Sequence, residues 1–502
     1  MNSIACRKII IIVCALIMFL LVGVNASAAS KGVPIDSKHF SADMSKLCKK
    51  YDKNKDGYLS GEERKKITKI SKGDFDLRVD GGWTIFDFRG LEYLESIKYL
   101  HCLGVRITNL KFNGLKNLQD ISLADCEINK VNLHNMTKLK KVSLQYMEKS
   151  KISISKCPNI EYLSLAFVKK DKINIGNCKK LKELLIYGKV KPFDISKLKL
   201  LRKLEIDGLN WEKIDLSKNT LLKDIYIKSD KLKRIKLPKN KERLNMLDLQ
   251  APVNLLDLPS YKNLNFLNLI IKKADMIDIS GCHNIQFAHI KVPFCSDIQF
   301  GNQPKLDNLY INAPISSIDL SKAPKLKKLE LKCELSNIEL EKNRKIEQLI
   351  IDGPIEKLDI SKNTKLKECT FKGFVMDEMI FSNASVGKLE INNSSLETLD
   401  VTSLPELYSV VIKRSAVRKI IANGNPELSD IEADVCDNLK EVVINNNERL
   451  FIYKFKDESD WSECYISKIR DEKTGTILVD EKYKAIHIWG SKIRKDAMWY
   501  EY

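Results

Sequence analysis

The sequence predicts a solenoid that is mostly β, in which each turn carries two short strands. A frame of the form apolar-x-x-apolar-x-apolar starts 17 times between Ile97 and Leu428, at intervals of 20, 21 or 22 residues. Each repeat contains short runs of alternating apolar and polar residues, which place their apolar side chains on one face of a strand. A single turn has almost no core, so we expect stacked turns to bury a shared apolar column.

Residues 201–222 contain one complete repeat. Its first half begins with LRKLEI (201–206), and its second half contains KIDLSKN (213–219), after which the frame restarts at Leu222. Over roughly residues 91–455, this pattern resembles the bacterial leucine-rich repeats of about 21 residues, which implies a leucine-rich repeat solenoid. The asparagine that these repeats usually carry just after the first strand is mostly missing, as at Asp207 and Gly208.

The two ends of the chain lie outside the repeat. Arg7 and Lys8 precede an apolar run over residues 9–22, and small residues follow at 26–28. This is typical of a secretory signal peptide, and an uncleaved anchor is the alternative, although the run is short for a membrane span. The predicted segments are a signal peptide (1–29), a helix–loop–helix (30–70), a junction that caps the first turn (71–96), the solenoid (97–455) and a C-terminal cap (456–502).

A calcium-binding loop is predicted at residues 52–63. Calcium takes six to eight oxygen ligands, and a 12-residue loop supplies them from positions 1, 3, 5, 7, 9 and 12. Gly57 falls at position 6, where such a loop turns sharply, and Ser60 with Glu63 forms a capping box for a helix that we expect to carry Ile67 and Ile70. The predicted ligands are Asp52, Asn54, Asp56, the backbone carbonyl of Tyr58, Ser60 through water, and Glu63.

The loop resembles an EF-hand, because every position of that pattern is filled. It is also similar to one half of a dockerin, a calcium module that has two such segments and commonly ends its loop in Asp, whereas this loop ends in Glu63. The resemblance implies calcium as the cofactor. A signal peptide followed by one EF-hand and leucine-rich repeats resembles exported surface proteins of Gram-positive gut and rumen bacteria.

The chain carries a formal charge of +19, and removal of the signal peptide leaves +17. Such an excess favours acidic envelope polymers, acidic glycans or anionic membrane surfaces, whereas export makes nucleic acid the least expected partner. The alternative is that lysine serves only as a soluble surface residue. The sequence does not predict the oligomeric state.

A strip of exposed aromatic residues is predicted on the first strands, because the residues between the apolar positions face outward. Exposed aromatic residues on nearby turns favour a protein- or glycan-binding surface, and scattered surface residues are the alternative. The predicted strip consists of Tyr226, Phe266, Phe287, Tyr310 and Ile350.

Two further positions recur with the period. Cys157, Cys178 and Cys282 fill the place in the frame that other repeats give to Asn343 and Asn363, so we expect buried, mostly free thiols. Aspartates recur in the second strands, and several have a lysine three residues later, which predicts a structural Asp–Lys ladder. These aspartates are Asp194, Asp215, Asp257, Asp278, Asp319, Asp359 and Asp400.

We expect a binding protein that recognises a protein or a cell-envelope or glycan partner, and not an enzyme. The sequence contains no Gly-x-Ser-x-Gly, His-Glu-x-x-His or phosphate-loop motif. A repeat scaffold can still carry catalysis, so a component of an enzyme acting on polysaccharide or cell wall stays an alternative. The other alternative is a structural spacer that the wall retains without a specific ligand.

Overall fold

The computed structural model describes residues 32–71, 84–169, 175, 177–189, 192–208, 210–255, 261–379, 381, 385–402, 404–447, 449–450, 452–457, 460–465, 476–478 and 485–489. The predicted signal peptide lies outside these residues. The chain divides into two compact units, Met1–Trp211 and Glu212–Tyr502. Each unit is built from parallel strands stacked turn upon turn, with very little helix, so the predicted solenoid is confirmed. No helix within the described ranges is long and apolar enough to cross a membrane.

The first unit begins with β1 (Val33–Pro34), α1 (Ala42–Lys49), β2 (Tyr58–Leu59) and α2 (Gly61–Lys66). Its first strands are β3 (Lys69–Ile70), β5 (Tyr99–Leu103), β7 (Asp120–Ala124), β9 (Lys141–Ser155), β10 (Tyr162–Lys169), β11 (Glu183–Tyr187) and β12 (Lys203–Asp207). Its second strands are β4 (Thr84–Asp87), β6 (Val105–Thr108) and β8 (Lys130–His134), and short 3-10 helices lie at Leu91–Tyr93 and Ile195–Lys197.

The second unit repeats the same plan. Its first strands are β14 (Asp224–Lys228), β16 (Met246–Leu255), β17 (Phe266–Ala274), β19 (Phe287–Lys291), β21 (Asn308–Asn312), β22 (Lys328–Lys332), β24 (Gln348–Asp352), β26 (Glu368–Lys372), β28 (Lys388–Asn392), β30 (Ser409–Lys413) and β32 (Asp430–Asp434). Its second strands are β13 (Lys213–Asp215), β15 (Arg234–Lys236), β18 (Ile277–Asp278), β20 (Ile298–Gln299), β23 (Asn337–Glu339), β25 (Lys357–Asp359), β27 (Val375–Met379), β29 (Ser395–Asp400), β31 (Ala416–Ile421) and β33 (Glu441–Val443).

The parallel stack ends in antiparallel strands. The last four strands are β34 (Ile452–Asp457), β35 (Asp460–Tyr465), β36 (Thr476–Leu478) and β37 (Ala485–Trp489). β37 pairs antiparallel with both β32 and β34, and β36 pairs antiparallel with β33. β34 therefore belongs to the same sheet as the first strands, but β37 separates it from β32, the last of the parallel first strands. The cap role of residues 456–502 stays a prediction.

The core follows directly from the alternation of each first strand. In β12, Leu204 and Ile206 are fully buried, while the residues between them are partly exposed. Leu204 lies opposite Leu184 of the preceding turn in parallel register, and Ile206 lies opposite Ile186. Like side chains therefore stack on like side chains, and the apolar column that one turn cannot build becomes continuous over neighbouring turns.

The turn after the first strand does not need the missing asparagine. In several repeats the residue at this place adopts a positive φ, as at Asp125 (48°) and Asn393 (48°), a region that non-glycine residues rarely occupy. Its backbone amide donates to a carbonyl of the next turn, at 3.0 Å from Asp125 to Gln145 and 3.0 Å from Asn393 to Lys413. Backbone hydrogen bonds thus fasten this turn to its neighbour without an asparagine side chain.

Buried amides and thiols form one ladder after the second strands. Asn363 Nδ2 donates to the carbonyls of Leu340 and Asn343, both at 3.0 Å. Cys178 Sγ donates to the carbonyl of Cys157 at 3.4 Å. Cysteine and asparagine therefore occupy the same buried place, and the side-chain amide of asparagine has two strong donor hydrogens where a thiol has a single weak one.

The buried thiols should resist alkylation while the protein is folded. Ten cysteines of the described part are free thiols, and burial raises the pKa of Cys178 to about 12 and that of Cys369 to about 12. Since the thiolate is the nucleophile, iodoacetamide at neutral pH should label both residues only after unfolding. Peptide mass spectrometry with and without urea would measure this. Rapid native labelling of Cys178, or disulfide-linked peptides, would contradict it.

The recurrent aspartates close a turn through the backbone. Asp215 Oδ1 accepts a hydrogen bond from the Ser217 amide at 2.9 Å, and the Ser217 hydrogen bonds hold the pKa of this carboxyl below its usual value. Lys197 does contact Asp194 at 3.7 Å, as predicted. The hydrogen bond to the amide two residues later is the more general feature, because it recurs in most of the aspartates of this column. It is also present at Asp194, Asp278, Asp319, Asp359 and Asp400.

Candidate functional site

The predicted calcium loop lies between α1 and α2. Ser41 caps α1, and its hydroxyl accepts from the Met44 amide at 3.1 Å. Ser60 caps α2 and forms the predicted capping box with Glu63. Gly57 has φ 78°, so glycine suits the sharp turn at the sixth position of the loop. The local chemistry of both helix starts therefore fixes where the loop begins and ends.

Hydrogen bonds hold the last carboxylate of the loop in place. Glu63 Oε1 accepts from the Lys53 amide at 2.8 Å, and Glu63 Oε2 accepts from the Ser60 amide at 3.0 Å and hydroxyl at 2.8 Å. Glu63 is buried, and these hydrogen bonds, above all the one from the Ser60 hydroxyl, hold the pKa of its carboxyl below the usual value. Asn54 Nδ2 and Asp56 Oδ2 lie 2.9 Å apart at the exposed end of the loop.

The donor set fits calcium, although the carboxylates are not gathered around one point. Among the described residues, no three or more His, Cys, Asp or Glu side chains are grouped as a metal site. Asp52 Oδ1, however, is buried without a hydrogen-bond partner, while Asp52 Oδ2 accepts from the Gly57 amide at 3.1 Å. A buried oxygen without a partner is costly, and a cation would satisfy it. Oxygen ligands of mixed charge suit calcium better than a transition metal.

The single loop finds a strand partner within its own chain. Strand β1 pairs antiparallel with β2, with Val33 opposite Leu59, and the Ile35 amide donates to the Gly57 carbonyl at 2.9 Å. A Cβ atom at Gly32 would lie 1.9 Å from the Leu59 carbonyl oxygen, so only glycine allows this close approach. The short segment before α1 thus supplies the hydrogen bonds that a second loop would otherwise give.

The helix pair is fastened to the first turns of the solenoid. The Ser41 hydroxyl donates to the Asp87 carbonyl at 2.5 Å, and the Lys98 amide donates to the Thr68 carbonyl at 2.7 Å. Strand β3 then pairs in parallel with β5, with Ile70 opposite Leu100. The predicted calcium loop therefore leads, through α2, into the first strand of the main sheet of this unit.

The prediction that the exiting helix carries Ile67 and Ile70 is wrong. Helix α2 ends at Lys66, Ile67 lies at its end, and Ile70 belongs to strand β3. The pairing of β3 with β5 draws this segment into the sheet, where both isoleucines are fully buried.

The first strands of the second unit present one exposed face, hereafter the first-strand face. Because side chains alternate, each five-residue strand places three residues on this face, in three columns that cross the turns. Tyr226, Tyr310 and Ile350 lie in the middle column, and Phe266 and Phe287 lie in the column before it. The five predicted residues thus share a face but not a column.

Three of these residues form a contact cluster, hereafter the aromatic cluster: Phe266, Phe287 and Tyr310. The rings of Phe266 and Phe287 are stacked, with centroids 4.7 Å apart and planes at 3°. Phe287 and Tyr310 are 5.5 Å apart. Tyr226 and Ile350 lie away from the cluster, because Asp248, Asn268 and His289 separate Tyr226 from Tyr310, and Glu330 separates Tyr310 from Ile350.

A polar group beside the aromatic cluster was missed by the sequence analysis. Asn268 Nδ2 donates to Asp248 Oδ1 at 2.9 Å, and both residues are buried. His289 lies in the next position of the same column, 6.0 Å from the Tyr310 ring, and burial lowers the pKa of its imidazole. The signal was present in the sequence, because these polar residues occupy the middle position of three successive frames.

A cavity of about 340 Å³ lies on the same side of the second unit, near the ends of its first strands. Lys228, Lys272 and Lys291 line it together with Asp230, and Gln250 and Ile270 lie between Lys228 and Lys291 along one column. We refer to it as the lysine-rimmed cavity. Sequence reasoning missed it, because its lysines come from three different turns.

In the first unit, Tyr146 and Phe167 form a second exposed aromatic pair that was not predicted. Their rings are stacked at 5.4 Å and 14°, and the side chains are 58% and 44% exposed. Both residues have a positive φ and lie five positions after the start of β9 and β10, and the next turn carries Gly188 at the equivalent place. Their separation by one repeat of 21 residues is the signal that could have identified them.

No protein-family model matches the chain, and no curated protein matches it. Among solved structures, it is similar to the functional domain of InlJ from Listeria monocytogenes, which includes a cysteine ladder; the TM-score is 0.50 with 16% identity, over 92% of this chain and 93% of that chain. An internalin, InlF, from the same species has a TM-score of 0.37 and 15% identity, over 76% of this chain and 97% of that chain. A leucine-rich repeat protein from Leptospira interrogans has a TM-score of 0.46 and 17% identity, over 68% of this chain and 90% of that chain.

Identities this low show a shared fold and do not carry function. The likeness to the InlJ domain extends over nearly the whole of both chains. The fold of this chain is a leucine-rich repeat solenoid.

Proposed function

We propose that the protein is an exported binding protein that holds a macromolecular partner on the first-strand face of its second unit. The aromatic cluster carries this proposal. Three half-exposed rings lie on three successive turns, and the middle one, Phe287, packs against both of the others. They offer a rigid apolar surface of the kind that supplies most of the energy in protein interfaces. Scattered surface residues would not pack against one another in this way.

The surroundings of the aromatic cluster favour a specific partner. The buried pair of Asp248 and Asn268 holds its hydrogen-bonding groups in fixed positions beside the rings. A site with fixed polar groups rejects ligands that leave those groups unpaired. The partner is a protein or a polymer of the cell envelope, and the charge of +19 favours an acidic one.

We further propose that the loop at residues 52–63 binds calcium. Asp52, Asn54, Asp56, Ser60, Glu63 and the Tyr58 carbonyl would hold the ion. The loop joins α1 to α2, and α2 leads into β3, so a bound ion would order the segment that begins the sheet of the first unit. This assigns calcium a stabilising role at the N-terminal end.

Co-sedimentation with purified bacterial wall material tests the binding proposal. The wild-type protein, Phe287→Ala and Tyr226→Ala would be compared at low salt and at about 0.5 M salt, where exposed charges are screened beyond roughly 4 Å. Tyr226→Ala is the matched control, because Tyr226 lies on the same face but outside the aromatic cluster. We expect Phe287→Ala to lose at least about tenfold in affinity, as truncation of a central aromatic residue commonly does.

Equal binding by both variants and the wild-type protein would contradict the role of the aromatic cluster. Binding of all three that disappears in 0.5 M salt would favour the spacer alternative, in which charge alone retains the protein. If no variant binds wall material, the same comparison would be made with extracellular proteins as the candidate partners.

A further inference from the structure

The lysines of the lysine-rimmed cavity differ from Lys332 and Lys413, which also belong to first strands. Lys332 contacts Asp352 at 3.2 Å, and Lys413 contacts Glu432 at 3.4 Å, so these lysines are paired with a carboxylate on the next turn. Lys228 and Lys291 occupy the same column as Lys332. Neither contacts a carboxylate within 4.0 Å, as far as the structure describes the chain.

The residues between Lys228 and Lys291 do not fill the cavity that lies between the two lysines. The two intervening turns carry Gln250 and Ile270 in this column, and the cavity lies over them. Lys272 adds a third ammonium group to the rim, and Asp230 is the one carboxylate among the lining residues. The lining therefore has a net charge of +2, above a floor that is partly apolar.

The spacing of the lysines restricts the ligand. Lys228 and Lys291 are three strands apart, which corresponds to about 14 Å at the usual strand spacing. A single oxyanion would need both side chains to extend across the cavity and lose their rotamer freedom. A chain with several anionic groups would let each lysine keep its own partner. Exposed ion pairs contribute only about 0–1 kcal/mol each, so useful affinity also requires several of them.

We propose that the lysine-rimmed cavity binds the repeated oxyanions, carboxylate or phosphate, of an extended polyanion that crosses the turns of the second unit. This inference rests on the proposed binding function and adds the ligand class and the residues that recognise it. Lys228, Lys272 and Lys291 pair with successive anionic groups, and Ile270 contacts the backbone of the polymer between them. The aromatic cluster, on the same strands, contacts the remainder of the partner.

Isothermal titration calorimetry with defined probes tests this inference. The probes are poly-L-glutamate, polyphosphate, inorganic phosphate and neutral dextran. The test variant is Lys228→Glu/Lys272→Glu/Lys291→Glu. The matched control is Lys218→Glu/Lys322→Glu/Lys362→Glu, which changes the net charge equally at exposed lysines of the same unit that follow the second strands. A second variant, with methionine at positions 228, 272 and 291, removes the charges without adding repulsion, and thermal melting verifies that all variants fold.

We expect the wild-type protein and the control to bind one or both polyanions, and the cavity variants to lose about tenfold in affinity, the effect of three weak ion pairs. Inorganic phosphate and dextran should bind much more weakly than the polymers. The polymer that binds more tightly identifies the anion. Equal losses in the cavity and control variants would show that net charge alone attracts polyanions, and would overturn the inference. No binding of either polyanion would also overturn it.

These results can be separated from the proposed function. Loss of wall binding in Phe287→Ala with unchanged binding in the cavity variants would leave the proposed function intact and exclude the lysine subsite. Polyanion binding that depends on the three lysines, without any effect of Phe287→Ala, would support the lysine subsite and contradict the aromatic cluster.

Discussion

Replacing Glu63 with glutamine should weaken calcium binding by at least about tenfold, because affinity in such loops depends on the charge and number of the ligands. The same change should abolish most of the rise in melting temperature that calcium produces at the N-terminal end. The amide keeps the size of the carboxylate, so the capping arrangement at Ser60 can persist while the charge is lost. Calorimetric titration would measure the affinity, and hydrogen exchange of residues 40–71 would measure the local stabilisation.

Glu62→Gln is the matched control for this experiment. Glu62 is the neighbouring acid, but it is exposed and pairs only with Lys65, at 2.6 Å. Such a pair contributes little, so this variant should bind calcium nearly as well as the wild-type protein. An unchanged calcium response in Glu63→Gln, or equal losses in both variants, would contradict the calcium site.

The same chemical change at two phenylalanines should have opposite consequences. Phe371 is fully buried, and its ring lies 4.8 Å from that of Phe374. Phe371→Ala should therefore destabilise the second unit by about 3–5 kcal/mol, the usual cost of truncating a core aromatic residue. Phe287 is half-buried on the first-strand face, and Phe287→Ala should cost about 1 kcal/mol or less. Binding to the partner should be lost in Phe287→Ala, and should be retained by Phe371→Ala wherever that variant is folded.

Urea denaturation and hydrogen exchange would measure the two effects. Repeat proteins need not unfold in a single step, so the loss in Phe371→Ala should be largest in its own turn and the adjacent ones. A loss spread evenly over the second unit would show stronger coupling between turns than nearest-neighbour contacts provide. Similar destabilisation by both variants would contradict the assignment of Phe287 to the exposed face.

The residues that each strand buries could be predicted from the sequence, because they follow from the alternation of apolar and polar residues within each repeat. Leu204 and Ile206 are two residues apart, and alternation alone places both in the core. The arrangement of the side chains on the exposed face of each strand could not be predicted as well. Alternation places Phe266 and Tyr310 on one face but does not say which column each occupies, and columns decide which rings touch. The contact cluster is therefore smaller than the predicted strip.

Features that join several turns, or that depend on pairing far along the chain, were the least predictable. The end of α2 is decided by the pairing of Ile70 with Leu100, thirty positions later, and not by helical propensity near Lys66. The lysine-rimmed cavity depends on Gln250 and Ile270, which lie between lysines that are 63 positions apart in the sequence. In contrast, the calcium loop is a local pattern, and its capping box was predicted at Ser60 and Glu63.

The ladder hydrogen bonds join residues only about one repeat apart, such as Asn363 and Leu340. Under tension, each turn is therefore held by its neighbours alone, and turns should peel from an end one after another instead of yielding together. At the C-terminal end, β36 and β37 pair antiparallel with β33 and β32, so a pull from that end would have to separate these pairs before it reached the parallel turns. A solenoid of this kind, when pulled, would release length in small steps and absorb the pull gradually.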